Sequence, residues 1–283
     1  MTKKRAFIVA NLLKDDAADF SLRVRSALEA RSWDVDSFAL EGPPAGVPDF
    51  SKRDLIISLG GDGTLLYVAR LNAELGIPIL PVNLGTLGFI AANTRDSWTE
   101  SLDSWISGRI QPSKRMMLQI DVWRENSIIG EFKALNDGVV SSQGIAKMVR
   151  LSLDVGGDRL GFYRADGIIV ATPTGSTAYN LAAGGPALHP EMGAMIINPI
   201  CPFTLGSRPL VLPDSEIIRI SVAETRRSGA MLTVDGQETL LLEQGDILIF
   251  KRAGIDSRLV VPPESKFFEA LRTKLGWSGD IRA

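Results

Sequence analysis

The segment that most limits how this chain can fold runs from Leu55 to Leu75. An apolar run, Leu55–Leu59, ends at Gly60-Gly61-Asp62-Gly63, and apolar residues at helical spacing follow from Thr64 to Leu75. A short apolar run closed by glycines and followed at once by a helix is a strand–turn–helix unit, and such units assemble into parallel sheets. The neighbouring sequence repeats the alternation. Ala6–Asn11 is a buried strand. Asp16–Ala30 carries Ala17, Phe20, Val24, Ala27 and Leu28 at helical spacing, and Ile77–Val82 is a further strand followed by Gly85 and Gly88.

After about residue 112 the texture changes. Met117–Trp123, Ser127–Ala134, Val149–Val155, Gly167–Ala171, Ile217–Val222, Ala230–Val234, Thr239–Leu242 and Asp246–Lys251 are short β-type runs separated by Gly, Asp and Asn. Asp235-Gly236 between two of them is a hairpin signal. The expected architecture is an α/β N-terminal domain over residues 1–110, a parallel sheet with helices, and an all-β C-terminal domain over residues 111–262. The linker is expected near Gly108–Ser113. The tail, residues 263–283, is expected to form a short helix, Phe267–Gly276, that returns to the first domain.

Composition narrows the partners. With 31 basic against 33 acidic residues, the chain carries no charge excess that would draw it to nucleic acid or an anionic membrane. Its one cysteine, Cys201, rules out an intrachain disulfide and suits a reducing compartment. The apolar run Ala6–Leu13 is stopped by Asp15 and Asp16, short of a signal-peptide core, and no stretch reaches the ~20 apolar residues of a membrane helix. A cytoplasmic protein is expected.

Three segments carry candidate chemistry. In Gly60-Gly61-Asp62-Gly63-Thr64, glycines let the backbone approach a ligand, and amides at a helix start favour phosphate. Gly60, Gly61 and Thr64 are the phosphate-proximal candidates. A carboxylate in such a turn repels phosphate. It makes sense as the acceptor of a proton from an attacking hydroxyl, or as a metal ligand. The plainer alternative is a tight turn with Asp62 as helix N-cap. The run from Asp166 to Tyr179, continuing to Gly184-Gly185-Pro186, joins a strand to a turn rich in hydroxyls at a helix start, with Tyr179 one turn in. It suits a ribose, a phosphate or a base, or simply a capped helix. Asn136-Asp137 ends a strand-like run and by itself reads as an Asx turn. No Gly-Lys dipeptide exists, so there is no Walker A loop, and Gly61, Gly63 and Leu66 stop short of the hydride-transfer fingerprint. His189 and Cys201 read as packing residues.

Together these pieces resemble the NAD kinase family along nearly the whole chain. The matching segments are Gly60–Thr64, Asn83–Phe89, Leu135–Asp137, Asp166–Pro186 and Arg208–Pro213, and Thr273–Ser278 looks like bacterial members. The resemblance implies NAD held between an α/β and a β-rich domain, with ATP as donor. It implies Mg²⁺ or another divalent ion arriving on ATP rather than in a protein metal site, and a homo-oligomer, tetramer or dimer. It makes Asp62 the catalytic residue and, with Gly63, a dinucleotide contact. It places Asn136, Asp137, Asp166, Thr174, Thr177, Ala178, Tyr179, Asn180, Leu181 and Ala182 on NAD-binding positions, and Lys147, Arg164 and Gln237 beside them. Two departures stand out: Asp137 replaces the commoner Glu, and Phe203 stands where the family often has His.

The chemistry so implied is phosphorylation of the 2′-hydroxyl of the adenosine ribose of NAD to give NADP, with Asp62 as general base. A carboxylate is a weak base, which a loose transition state with late proton removal tolerates. The competing readings are a lipid or sugar kinase sharing Gly-Gly-Asp-Gly, and a non-catalytic dinucleotide sensor with little use for Asp62.

Overall fold

The computed structural model describes residues 3–42, 46–85, 88–144, 148–204, 206–224, 229–262 and 267–276. The chain forms two compact units, residues 1–114 with 257–283, and residues 115–256.

The first unit opens with β1 (Arg5–Asn11), α1 (Ala17–Glu29), β2 (Asp34–Leu40), β3 (Leu55–Gly60), α2 (Asp62–Leu71), β4 (Ile79–Asn83), α3 (Trp98–Ile106) and β5 (Ser113–Arg115). The second holds β6 (Leu118–Arg124), β7 (Ser127–Ala134), β8 (Asp137–Ser142), β9 (Val149–Val155), β10 (Asp158–Ala165) and β11 (Gly167–Ala171). A single 3₁₀ turn (Gly175–Thr177) and a one-turn α4 (Tyr179–Ala182) follow, then β12 (Ala194–Ile200), β13 (Leu210–Pro213), β14 (Ile218–Glu224), β15 (Ala230–Val234), β16 (Glu238–Leu242) and β17 (Ile247–Arg252). The chain returns to the first unit with β18 (Ser257–Leu259) and α5 (Phe267–Leu275).

The first sheet runs β2-β1-β3-β4-β18-β5, with β1 parallel to β2 and β3, and β4 parallel to β3 and β18. Strands covered on both faces read as continuous apolar runs, and every residue of β3 and β4 is buried. Helix α1 lays Ala17, Phe20, Val24 and Leu28 onto this sheet, the stripe its spacing predicts. From β1 the chain first adds β2 on one side and then β3 on the other. The carboxyl ends of β1 and β3 therefore flank the point where the winding reverses, the position at which open α/β sheets bind ligands.

The second unit is a pair of antiparallel sheets, β10-β9-β14-β17-β6-β7 and β13-β12-β11-β8-β15-β16. Ile120, Leu151, Ile220 and Phe250 from one meet Val140, Ile168, Ile197 and Leu232 from the other in a shared core. Period-two alternation then decides what the far face of β8 carries: Val140 points into the core, while Asp137, Val139 and Ser141 point away.

Most strands fall within a residue or two of their expected bounds, and Asp235 and Gly236 both take positive φ (50° and 66°) in the β15–β16 hairpin. Three expected features take a different form. Helix α2 begins at Asp62 rather than Thr64 and ends at Leu71. Asp62 is thus inside the first turn, not an N-cap, and the N-cap is Gly61. The helix expected after Pro173 is a 3₁₀ turn and one α-turn; Ser176 Oγ donates locally to Pro173 O at 2.6 Å, and Thr172 Oγ1 ties the turn to Leu135 O at 2.6 Å. Asn136 is held by no local Asx turn; its amide donates to Asp235, on the far hairpin.

Candidate active site

Asp62 stands where β3 ends, at the reversal point of the first sheet. Its carboxylate takes three backbone N–H donors from the segment after β4. Phe89 donates to Oδ2 at 3.1 Å, and Ile90 and Ala91 donate to Oδ1 at 3.4 and 3.0 Å. Gly88 is the companion of this arrangement. A Cβ there would collide with the Asp62 carboxylate, so only glycine lets the segment close over it. An ionised carboxylate has about four lone-pair sites, so three amides fix the rotamer and leave room for one more donor.

The neighbouring turn residues do different jobs. Gly60 is buried, Gly61 is half-buried and Gly63 is exposed. Thr64 is buried, and its hydroxyl accepts from Asn11 Nδ2 at 3.3 Å, tying the carboxyl end of β1 to α2. That side chain supports the turn from behind. Leu84 N donates to Gly60 O at 2.8 Å and Gly85 N to Asn83 Oδ1 at 2.9 Å, fixing the β4 exit beside it.

In the second unit Asn136, Asp137, Val139, Ser141, Ala178, Tyr179, Thr233, Asp235 and Gly236 line a cavity of about 300 Å³ on the outward face of β8 and β15. Four sequence candidates, Asn136, Asp137, Ala178 and Tyr179, meet there. Asp235 was legible only as a hairpin residue, and it organises the floor. Its Oδ1 accepts from the amides of Asn136 and Asp137 at 2.8 and 3.2 Å, and its Oδ2 from that of Leu135 at 3.0 Å. The turn after β11 is pressed against the same strand. Thr172 N donates to Asn136 O at 2.8 Å, and Gly175 lies so close that a Cβ would overlap the Asn136 backbone. The Gly175→Ala variant should therefore lose about 1–3 kcal/mol of stability, as overpacking does. A denaturant midpoint unchanged from wild type would show that the contact is slack.

Two buried polar atoms, Asn136 Oδ1 at the cavity and Thr174 Oγ1 in the turn after β11, have no partner among the described residues. Most buried polar groups in folded proteins find a partner, so both suit a bound polar ligand. Asp137 is 5% exposed. Burial, and then the charge of Asp235, push its carboxyl up to about 7. A group titrating near 3.9 when unfolded and near 7 when folded favours the folded state below the lower value and opposes it as pH rises through the upper one. The Asp137→Asn variant should thus gain stability on wild type as pH passes from 5 to 8. Parallel melting curves across that range would contradict this.

The other candidates take varied positions. Tyr179 is 48% exposed at the cavity edge. Asn180 is fully buried, its Nδ2 donating to Ser176 O at 2.9 Å and Pro186 O at 3.0 Å while its Oδ1 accepts from Asn198. Thr177 and Leu181 are half-buried, and Ala182, Arg164, Asp166 and Gln237 are exposed. The Arg164 guanidinium lies 5.0 Å over the ring of Phe203, the residue that departs from the family pattern. Lys147 lies outside the described residues. Among the described residues no three His, Cys, Asp or Glu side chains gather as a metal site, and no helix is long and apolar enough to cross a membrane.

A carboxylate on a glycine turn at the winding reversal of a parallel sheet, and a polar cavity beside a β-turn rich in hydroxyls, define a phosphotransferase that works on nucleotides. Residues 46–110 match the ATP-NAD kinase N-terminal domain and residues 135–261 the ATP-NAD kinase C-terminal domain. The chain is 40% identical over 276 residues to the NAD kinase of Treponema denticola, covering 98% of this chain and 97% of that protein. It is 45% identical over 224 residues to that of Syntrophotalea carbinolica, covering 79% and 78%. Among solved structures it is similar to yeast NADH kinase complexed with NADH (TM-score 0.87, 25% identity, 100% of this chain and 90% of that one). It is also similar to an Archaeoglobus fulgidus NAD kinase in complex with ATP (TM-score 0.75, 26% identity, 96% and 98%). The chain belongs to the NAD kinase family.

Proposed function

We propose that the protein transfers the γ-phosphoryl group of ATP to the 2′-hydroxyl of the adenosine ribose of NAD, and that Asp62 receives the proton. The ribose oxygen forms its bond to the γ-phosphorus as the bond to the bridging oxygen of ADP breaks, and the hydroxyl proton passes to the Asp62 carboxylate. The observation that carries this reading is the Asp62 carboxylate itself, held in one rotamer by three amides with a lone pair to spare. A fixed acceptor makes the attack effectively intramolecular, where positioning supplies much of the rate.

The second unit supplies the dinucleotide contacts. Asn136 and Thr174 offer oxygens with no partner among the described residues, and Asp137 and Tyr179 line the cavity. Arg164, Asp166, Thr177, Ala178, Leu181, Ala182 and Gln237 are further NAD contacts, whereas the buried amide of Asn180 positions the turn through Ser176, Pro186 and Asn198. Gly63 is exposed beside Asp62, where a close-lying backbone leaves space for phosphate. Mg²⁺ or another divalent ion is proposed to arrive on ATP, where it would neutralise charge on the phosphate chain. Family likeness supports a homo-oligomer.

The test is a competition assay. With ATP and Mg²⁺, the purified protein is offered NAD, a diacylglycerol and a hexose. NADP should be the phosphorylated product. Preferred phosphorylation of the lipid or sugar would overturn the reading, as would NAD binding without any ATP turnover.

A further inference from the structure

The turn that presents Asp62 brings a negative charge and no lysine to a polyanionic donor, because the chain has no Gly-Lys loop. Phosphoryl transfer depends on cations placed along the phosphate chain. The first unit holds one in an unexpected place. Lys274, in the last turn of α5, sets its Nζ 5.0 Å from the ring centroid of Phe89. Phe89 is the residue whose amide donates to Asp62 Oδ2. A cation over an aromatic face is held by the ring quadrupole without being neutralised. Among the described residues Lys274 pairs with no carboxylate, and its side chain is exposed. Arg95, which also reaches the β4 exit, is committed to carbonyls, with Nη2 at 2.7 Å from Asp15 O and 3.5 Å from Leu84 O.

We propose that Lys274 binds the phosphate chain of ATP, with Phe89 as the platform that aims its ammonium beside the Asp62 turn. The inference rests on the NAD kinase reading above and adds a donor-binding residue to it. It gives the C-terminal helix a task in donor binding, and makes donor affinity depend on a residue far in sequence from the glycine turn. The simpler role for Lys274, a cation at a helix carboxyl end, would affect stability and leave donor affinity alone.

The test uses the full chain with Lys274→Gln and Lys274→Arg, reading KM for ATP and for NAD separately, with melting temperature alongside. Lys274→Gln should raise KM for ATP roughly tenfold or more, the usual loss for a charge-assisted contact, with KM for NAD changed less than twofold. Lys274→Arg should restore most of the ATP affinity. An unchanged KM for ATP in Lys274→Gln, or a rise in KM for NAD instead, would overturn the assignment. Lys274→Gln melting lower than wild type with intact ATP affinity would reduce Lys274 to its structural role. Wild-type protein assayed in parallel separates the two claims: if it makes no NADP, the NAD kinase reading fails, whatever the variants do.

Discussion

Asp62→Asn should lower turnover by about 10²–10⁴-fold, the range general-base catalysis supplies, while NAD binding changes much less. The substitution keeps size and one carbonyl oxygen but cannot take up a proton at neutral pH. It also sets an NH₂ group against backbone donors, since one carboxylate oxygen faces Phe89 N and the other faces Ile90 N and Ala91 N. The loop after β4 therefore loses one or two bonds, each worth about 1 kcal/mol, and stability should fall slightly. A coupled assay of NADP formation gives turnover, and equilibrium binding of NAD separates chemistry from affinity. Turnover near that of wild type would remove Asp62 from the proton-accepting role.

Asp235→Ala should be the most destabilising single change at the second site. It removes the acceptor for the amides of Leu135, Asn136 and Asp137, all on buried residues. An orphaned buried amide costs roughly 1–3 kcal/mol, so the total is on the order of 3–5 kcal/mol if water reaches part of the gap. The same change takes away the charge that helps raise the Asp137 carboxyl, so Asp137 should titrate lower in the variant. Denaturant unfolding measures the first effect and NMR titration of Asp137 the second. A loss under 1 kcal/mol would mean that the hairpin merely sits beside the 135–137 segment.

What the sequence made legible follows from the range of each interaction. Leu55–Gly60 reads as a buried strand because its apolar run is continuous, and the hairpin at Asp235-Gly236 reads from two adjacent residues. Strands β2 and β10 escape notice because they are edges: Asp34–Leu40 and Asp158–Ala165 mix exposed polar residues into the run, and β10 is interrupted by a bulge near Gly161. Strand β12 hides behind Pro199, which lies past the residues paired with β13. Helix α3 is rich in Ser, Thr and Asp, which favour turns by intrinsic preference, and it forms because Trp98 and Leu102 are buried.

At the site, the residues that carry chemistry were visible, and the residues that hold them were not. The Asp62 turn is local, but its partners lie 27 to 29 residues on, and the partners of Asp235 lie 98 to 100 residues back. Nothing in Val234-Asp235-Gly236 announces a carboxylate aimed at Leu135–Asp137. By resemblance the stretch Thr177–Ala182 is a continuous contact surface. Within it Asn180 faces inward, which no periodicity reveals in a helix of one turn.

The position of the new phosphate distinguishes an NAD 2′-kinase from every alternative. Purified protein with NAD, ATP and Mg²⁺, followed by ³¹P NMR of the isolated dinucleotide, should give one equivalent of phosphomonoester on the 2′-oxygen of the adenosine ribose for each ADP released. A phosphate on any other oxygen, or ADP released with the dinucleotide unmodified, would contradict it.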